Sequence, residues 1–102
     1  MKASYPMASV QPVVVERLPD GEALIRFVVP PESMYYAAGV SWRSSGRELQ
    51  VVIDRCPIRG ECSTMARSAT ALGEGRTTEV KIPFNGDRIV MIHADESQQI
   101  YP

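Results

Sequence analysis

Residues 13–27 read VVVERLPDGEALIRF, in which two runs of apolar and polar residues flank the segment Pro19-Asp20-Gly21. Proline presets the backbone of a turn, aspartate bonds its own backbone, and glycine accepts the left-handed position of a three-residue hairpin loop. This turn pairs Val15 with Ile25, and the apolar residues of both strands then share one face. The sequence therefore predicts a β-hairpin with one face in a core and the other partly in solvent.

Further along the chain, Asn85-Gly86 indicates a second turn, because both residues tolerate the backbone of a two-residue hairpin loop. It predicts a hairpin in which Ile82 faces Ile89. The strand that follows is apolar on both faces, so we expect it to be central in its sheet.

A third hairpin is predicted to turn at Ser45-Gly46. In this register Trp42 lies opposite Leu49, and Tyr35 lies opposite Cys56. Alternation along the strand then directs Trp42 into the core and Tyr35 toward solvent.

The remaining segments are less regular. Residues 63–75 fit an edge strand better than a two-turn helix, because no Glu or Gln completes a capping box after Ser63 or Thr64. Residues 98–101 predict a short last strand. Residues 1–11 lack periodicity and predict a loose N-terminal arm, ahead of a single β-sandwich domain over residues 12–102.

Consecutive hairpins predict an all-β, single-domain antiparallel β-sandwich of about seven or eight strands, since a meander must curl into a sandwich or small barrel to bury its apolar face. An immunoglobulin-like arrangement is the default at this length, although Trp42 precedes both cysteines instead of lying between them as in antibody domains. Five apolar residues fall off the main core face and predict a second buried surface, within the sandwich or in self-association. They are Leu24, Val28, Val52, Val90 and Ile92.

Composition excludes several classes of function. Eleven Lys and Arg against twelve Asp and Glu give a net charge of −1, so no large field of one sign exists to attract nucleic acid or anionic lipid. No apolar run is long enough to span a membrane, and the first residues lack the apolar segment of a signal peptide. We expect neither nucleic acid nor membrane insertion among the interactions of this protein.

The segment 56–62, CPIRGEC, is the one local pattern with a defined chemical consequence. A turn at Arg59-Gly60 brings Cys56 and Cys62 face to face, and a disulfide there would contribute about 2–2.5 kcal/mol of stability by closing a short loop. A bridge implies an oxidising compartment, periplasmic or extracellular, whereas two reduced, inert thiols imply the cytoplasm.

The same loop supplies the predicted binding residues. An exposed Tyr35 beside the constrained residues Pro57, Ile58 and Arg59 forms a candidate surface for a protein partner, because tyrosine gives a large contact area at low entropic cost. Ordinary packing of Tyr35 across the loop is the alternative interpretation.

Catalytic and metal chemistry have less support. His93 is the only histidine, and the chain has no nucleophile elbow, zinc-protease motif or phosphate-binding loop. We expect no catalytic residues and no cofactor. A soft metal such as Cu(I) or Zn(II) would find Cys56, Cys62 and His93, which fall short of a tetrahedral ligand set.

The sequence thus favours a non-catalytic binding or structural module that presents a sheet face or the Cys56–Cys62 loop to a protein partner. We expect this module to be bacterial and exported. The alternative is a small metal-binding or thiol-active protein that uses both cysteines and His93.

Overall fold

The computed structural model describes residues 3–68 and 77–102. These residues form eight strands in two sheets, which confirms the predicted all-β sandwich. No helix in these two ranges has the length and hydropathy needed to cross a membrane. A short 3-10 turn, Met7–Ser9, precedes the strands. The strands are β1 (Val14–Arg17), β2 (Glu22–Val28), β3 (Tyr35–Ser45), β4 (Glu48–Pro57), β5 (Ala66–Arg67), β6 (Thr77–Pro83), β7 (Arg88–Ile92) and β8 (Ser97–Tyr101).

One sheet has the strand order β1-β2-β6, and the other has the order β5-β3-β4-β7-β8. Paired strands are antiparallel except β4 and β7, which run parallel. The edges of the two sheets approach each other on both sides, β1 near β8 and β5 near β6. The parallel pair departs from a sandwich made only of hairpins, so the immunoglobulin-like detail has no support and the coarser description stands.

The core lies between the two sheets, because alternate residues of each central strand point in the same direction. Phe27 and Ile82 from one sheet and Val51 and Met91 from the other are fully buried there. Burying a side chain of this size contributes about 1.5–3 kcal/mol relative to exposure. These contacts between the two sheets hold the fold together.

The β1–β2 hairpin has the predicted register. Val15 pairs with Ile25, and the Leu18 amide donates a hydrogen bond to the Glu22 carbonyl at 2.8 Å. Gly21 lies in the turn with a φ of +83°, which glycine adopts without steric cost.

The prediction of a hairpin at Asn85-Gly86 is wrong, because the strands on either side of this turn do not pair with each other. Ile82 of β6 pairs with Ala23 of β2 rather than with Ile89, and β7 lies between β4 and β8. The turn therefore carries the chain from one sheet to the other. The physical reason is burial, because β7 is apolar on both faces and has a neighbouring strand on each side inside the five-stranded sheet.

The β3–β4 hairpin forms, but its register differs from the predicted one. Trp42 pairs with Val51 instead of Leu49, so the turn centres on Gly46-Arg47, one residue later than predicted. Gly46 has a φ of +62°, and glycine at the first central position suits a two-residue hairpin turn. Because each partner moves by two residues, the same apolar side chains still face the core.

A bulge in β3 makes room for the edge strand β5. The pairing shifts between Ala37 and Gly39, and β5 pairs with Gly39 and Val40. A Cβ on Gly39 would lie 1.9 Å from the Ala66 carbonyl oxygen, so this close approach requires glycine. Part of the predicted 63–75 strand is thus an edge strand, while residues 69–76 lie outside the described residues.

Residues 3–11, part of the arm predicted to be loose, make fixed contacts with the sandwich. Tyr5 and Val10 are buried. The Val10 carbonyl accepts a hydrogen bond from the Val28 amide at 3.0 Å, and the Tyr5 carbonyl accepts one from the Ala94 amide at 2.8 Å. The arm therefore bonds to the chain beside both sheets. At the other terminus, the predicted last strand forms as β8 and pairs with β7.

Candidate binding surface

The predicted partner-binding residues come together where β3 begins and β4 ends. Tyr35, the first residue of β3, pairs with Pro57, the last residue of β4. The Ile58 amide then donates a hydrogen bond to the Met34 carbonyl at 2.9 Å, which extends the pairing by one step. The backbones of these four residues are thus held side by side.

Three side chains of this group are both apolar and exposed. The exposed fraction is 70% for Met34, 41% for Ile58 and 38% for Tyr35, while Pro57 is half-buried. We call these four residues the apolar patch. Arg59 follows them, is exposed, and forms no ion pair with another described residue. Met34 lies beside Ile58 on one face of the strand pair and Tyr35 lies beside Pro57 on the other, because successive residues of a strand point to opposite faces. Exposed apolar residues grouped at one end of a sheet are a candidate interaction site.

The loop that follows the patch is fastened beside β4. The sulfur atoms of Cys56 and Cys62 lie at disulfide distance, and their Cα atoms are 5.8 Å apart, within the usual range for a bridge. Cys56 is fully buried and alternates with core-facing residues, so it lies on the outer face of the sheet. Tyr36 lies opposite Cys56, where the sequence predicts Tyr35, because of the shifted register and the bulge in β3.

Hydrogen bonds to the Asp54 carboxylate hold the C-terminal end of this loop. The Thr64 hydroxyl donates to Oδ2 of Asp54 at 2.6 Å, and the Ser41 hydroxyl donates to the same oxygen at 2.6 Å. A hydrogen bond to a charged acceptor contributes about 1.5–3 kcal/mol when it is shielded from water. The segment after the cysteines is therefore fixed to both β3 and β4.

An ion pair supports the patch from the side of the core. Arg55 donates to Oε2 of Glu32 from Nε at 2.9 Å and from Nη2 at 2.5 Å, and the Tyr5 hydroxyl donates to Oε1 at 3.0 Å. Cζ of Arg55 lies 3.9 Å from the centre of the Tyr35 ring, which is the geometry of a cation–π contact. Tyr35 is thus held in place by its own neighbours.

The protonation states suit this network. Hydrogen bonds from Arg55 lower the pKa of Glu32 below its ordinary value, although partial burial opposes the change. Burial, and then the bond to the Glu32 carboxylate, raise the pKa of Tyr5. At neutral pH the carboxylate is therefore charged and the phenol is neutral, so each donor meets an acceptor.

The predicted metal-ligand set is not assembled. In residues 3–68 and 77–102, no three His, Cys, Asp or Glu side chains are grouped so that they could hold a metal ion. His93 is buried just after β7, and its Nε2 lies 2.9 Å from Oε1 of Gln98. Gln98 also forms a reciprocal amide pair with Gln11. The imidazole thus belongs to a polar cluster that fastens the N-terminal arm.

The apolar residues predicted to form a second surface are divided between the two sheets. Leu24 and Val28 lie on β2, Val52 lies on β4, and Val90 and Ile92 lie on β7. Leu24 and Val52 are already buried within this chain, and the other three are half-buried. They do not form one continuous exposed face.

Sequence reasoning missed the residues that complete and support the patch. Met34 adjoins Tyr35 in the sequence, so the apolar run at the start of β3 could have indicated it. Tyr5 and Glu32 gave no such indication, because only the tertiary fold brings them to Arg55.

Comparison of the chain with protein-family models, with curated proteins and with solved structures finds no match. The surface is therefore interpreted from its own residues.

Proposed function

We propose that this protein is a non-catalytic binding module that uses the apolar patch to bind a protein partner. The observation that carries the proposal is that three exposed apolar residues, Met34, Tyr35 and Ile58, lie at the same end of the β3–β4 pair. Aromatic residues, Met and Arg are enriched in protein interfaces, and Arg59 adds an exposed cation next to Ile58. Because the Tyr35 ring and the backbones of the patch are already held by neighbouring groups, ordering them on binding would cost little additional entropy.

The proposal includes a disulfide between Cys56 and Cys62 and, with it, an oxidising compartment such as that of an exported bacterial protein. The separation of 5.8 Å between the two Cα atoms, which a bridge can span, supports the disulfide. The bridge would close the loop that begins at the patch, so its role would be to keep Ile58 beside Met34.

The metal-binding or thiol-active alternative has less support. Each cysteine sulfur has the other at bonding distance, and Nε2 of His93 is engaged by Gln98. A zinc site uses at least three protein ligands that converge, and the described part of the chain has no group of three His, Cys, Asp or Glu that could hold a metal ion.

Site-specific photo-cross-linking tests the proposal. A photoreactive phenylalanine analogue replaces either Ile58, in the patch, or Val14, on the other sheet, in cells that make the protein naturally. Val14 is 50% exposed, so it controls for exposure while changing the location. We expect one protein to cross-link from position 58 and not from position 14, and the purified form of that protein to bind directly. The proposal fails if no protein cross-links better from position 58.

A further inference from the structure

A cleft lies at the other end of β3, where the β3–β4 turn faces the chain between β6 and β7. It has a volume of about 280 Å³, and its lining includes Trp42, Ser44, Leu49, Phe84 and Asn85. This volume is close to the lower limit of small-molecule sites, which is about 300 Å³. The cleft suits a ligand of a single ring.

The walls of the cleft are fixed without a ligand. A Cβ on Gly86 would lie 2.4 Å from the Arg47 carbonyl oxygen, and the Asp87 amide donates to that same oxygen at 2.9 Å. The Phe84 amide donates to the Gly21 carbonyl at 2.9 Å. Three turns are thus joined by backbone contacts, and a preformed site needs little reorganisation on binding.

The accessible apolar part of the lining comes from Trp42 and Pro83. Leu49 and Phe84 are buried behind the surface, whereas Trp42 is half-buried. The indole N–H bonds no other described residue, and no buried side-chain nitrogen or oxygen in residues 3–68 and 77–102 lacks a partner. The indole N–H is therefore accessible to solvent and free to donate.

The unpartnered polar groups of the cleft are neutral. The Ser44 hydroxyl and the Asn85 amide are exposed and bond no other described residue. The charged groups of the lining are already paired within the chain, Arg47 with Asp87 and Glu48 with Arg88. A charged ligand would find the charged side chains of the cleft already paired within the chain. A neutral polar ligand would instead hydrogen-bond the Ser44 hydroxyl and the Asn85 amide.

We propose that this cleft is a second binding site, for a neutral, hydroxyl-rich small molecule such as one pyranose unit of a glycan. The C–H surface of a pyranose would pack on the Trp42 indole, and its hydroxyl groups would bond the Ser44 hydroxyl and the Asn85 amide. This site shares no residue with the apolar patch, so the two proposals stand or fall separately.

Trp42 is the only tryptophan in the chain, so its fluorescence reports directly on the cleft. The full chain is titrated with the methyl glycosides of glucose, galactose, mannose and N-acetylglucosamine. We expect at least one to give a saturable change with a Kd on the order of 1 mM. Amide shifts of Gly46 and Gly86 in NMR spectra are expected to follow the same curve.

Two serine variants locate the binding. Ser44→Ala removes one hydroxyl of the lining, which is expected to weaken binding about threefold to tenfold. Ser45→Ala is the matched control, because Ser45 is the next residue of β3 and does not line the cleft. The proposal is overturned if no methyl glycoside gives a saturable change, if both variants weaken binding equally, or if cyclohexanol binds as well as the glycosides.

Discussion

Glu32 accepts hydrogen bonds from Tyr5 and Arg55, two residues that the fold brings to it from distant parts of the chain. Arg55 in turn lies against the ring of Tyr35. One carboxylate thus connects the N-terminal arm to the apolar patch. Its charge is the feature of this network that pH can change.

Glu32→Gln is expected to reduce the sensitivity of the protein to acid. The folded-state pKa of Glu32 lies below the unfolded value, which is about 4.3 for a free glutamate. Its contribution to stability is therefore present above that pH and is lost as the pH falls through the folded-state pKa. Urea unfolding at a series of pH values measures the effect. A glutamine does not titrate, so the variant should lose less stability than the wild type over this acidic range.

The control for this experiment is Glu79→Gln, which removes a more exposed carboxylate paired with Arg26. Surface ion pairs contribute little, so this variant should follow the acid response of the wild type. Equal acid responses of Glu32→Gln and the wild type would contradict the role given to Glu32.

At the scale of strands, local turn chemistry predicts where the chain turns more reliably than it predicts which strands pair. The turn at Pro19-Asp20-Gly21 gives the correct register because it pairs Val15 with Ile25 and so places the core-facing apolar residues of both strands on one face. The turn at Asn85-Gly86 has an equally strong local pattern, but it joins strands of different sheets. Which strands pair with β7 depends on which strands of the whole sheet can lie on either side of it. A local turn pattern does not contain that information.

The candidate binding surface also combines features that local sequence predicts with features that depend on the whole fold. Tyr35, Pro57, Ile58 and Arg59 could be predicted because a turn brings neighbouring positions together. The bulge at Gly39 could not be predicted, because it occurs where β5, a segment distant in the sequence, packs closely against β3.

Gly39→Ala tests that close approach. The new Cβ would lie 1.9 Å from a backbone oxygen of Ala66, so β5 must move away from β3, and overpacking of this kind costs about 1–3 kcal/mol. Gly46→Asn is the matched control, since nothing lies within 4 Å of its Cβ position and asparagine tolerates a positive φ. Thermal and urea unfolding should show a much larger loss for Gly39→Ala. Equal losses would show that β5 does not pack against Gly39.

The Cys56–Cys62 bridge is tested by counting thiols. Intact mass under denaturing conditions should show no alkylation before reduction and two alkylated cysteines after it. Replacing both cysteines with alanine should lower the free energy of unfolding by about 2–2.5 kcal/mol, the value for a loop this short. Two free thiols in protein handled under air would contradict the bridge and the oxidising compartment.

As a whole, the molecule has two ends with different chemistry. The patch end is apolar and is supported by an ion pair, the paired cysteines and the N-terminal arm. The cleft end is lined by two aromatic side chains, by neutral polar groups and by charged groups that are paired within the chain, and three turns hold it together. The two proposals therefore assign a protein partner to one end of the sandwich and a small neutral ligand to the other.

The most direct test of the central claim is the affinity of the cross-linked partner for two variants, measured by calorimetry. Ile58→Ser removes an exposed apolar side chain from the patch, and Val14→Ser removes one from the other sheet. Residues at the centre of an interface typically contribute more than about 1.4 kcal/mol, or tenfold in affinity. We predict at least about a tenfold loss for Ile58→Ser and less than about a twofold change for Val14→Ser. Equal affinities of the two variants would contradict the claim that the apolar patch binds the partner.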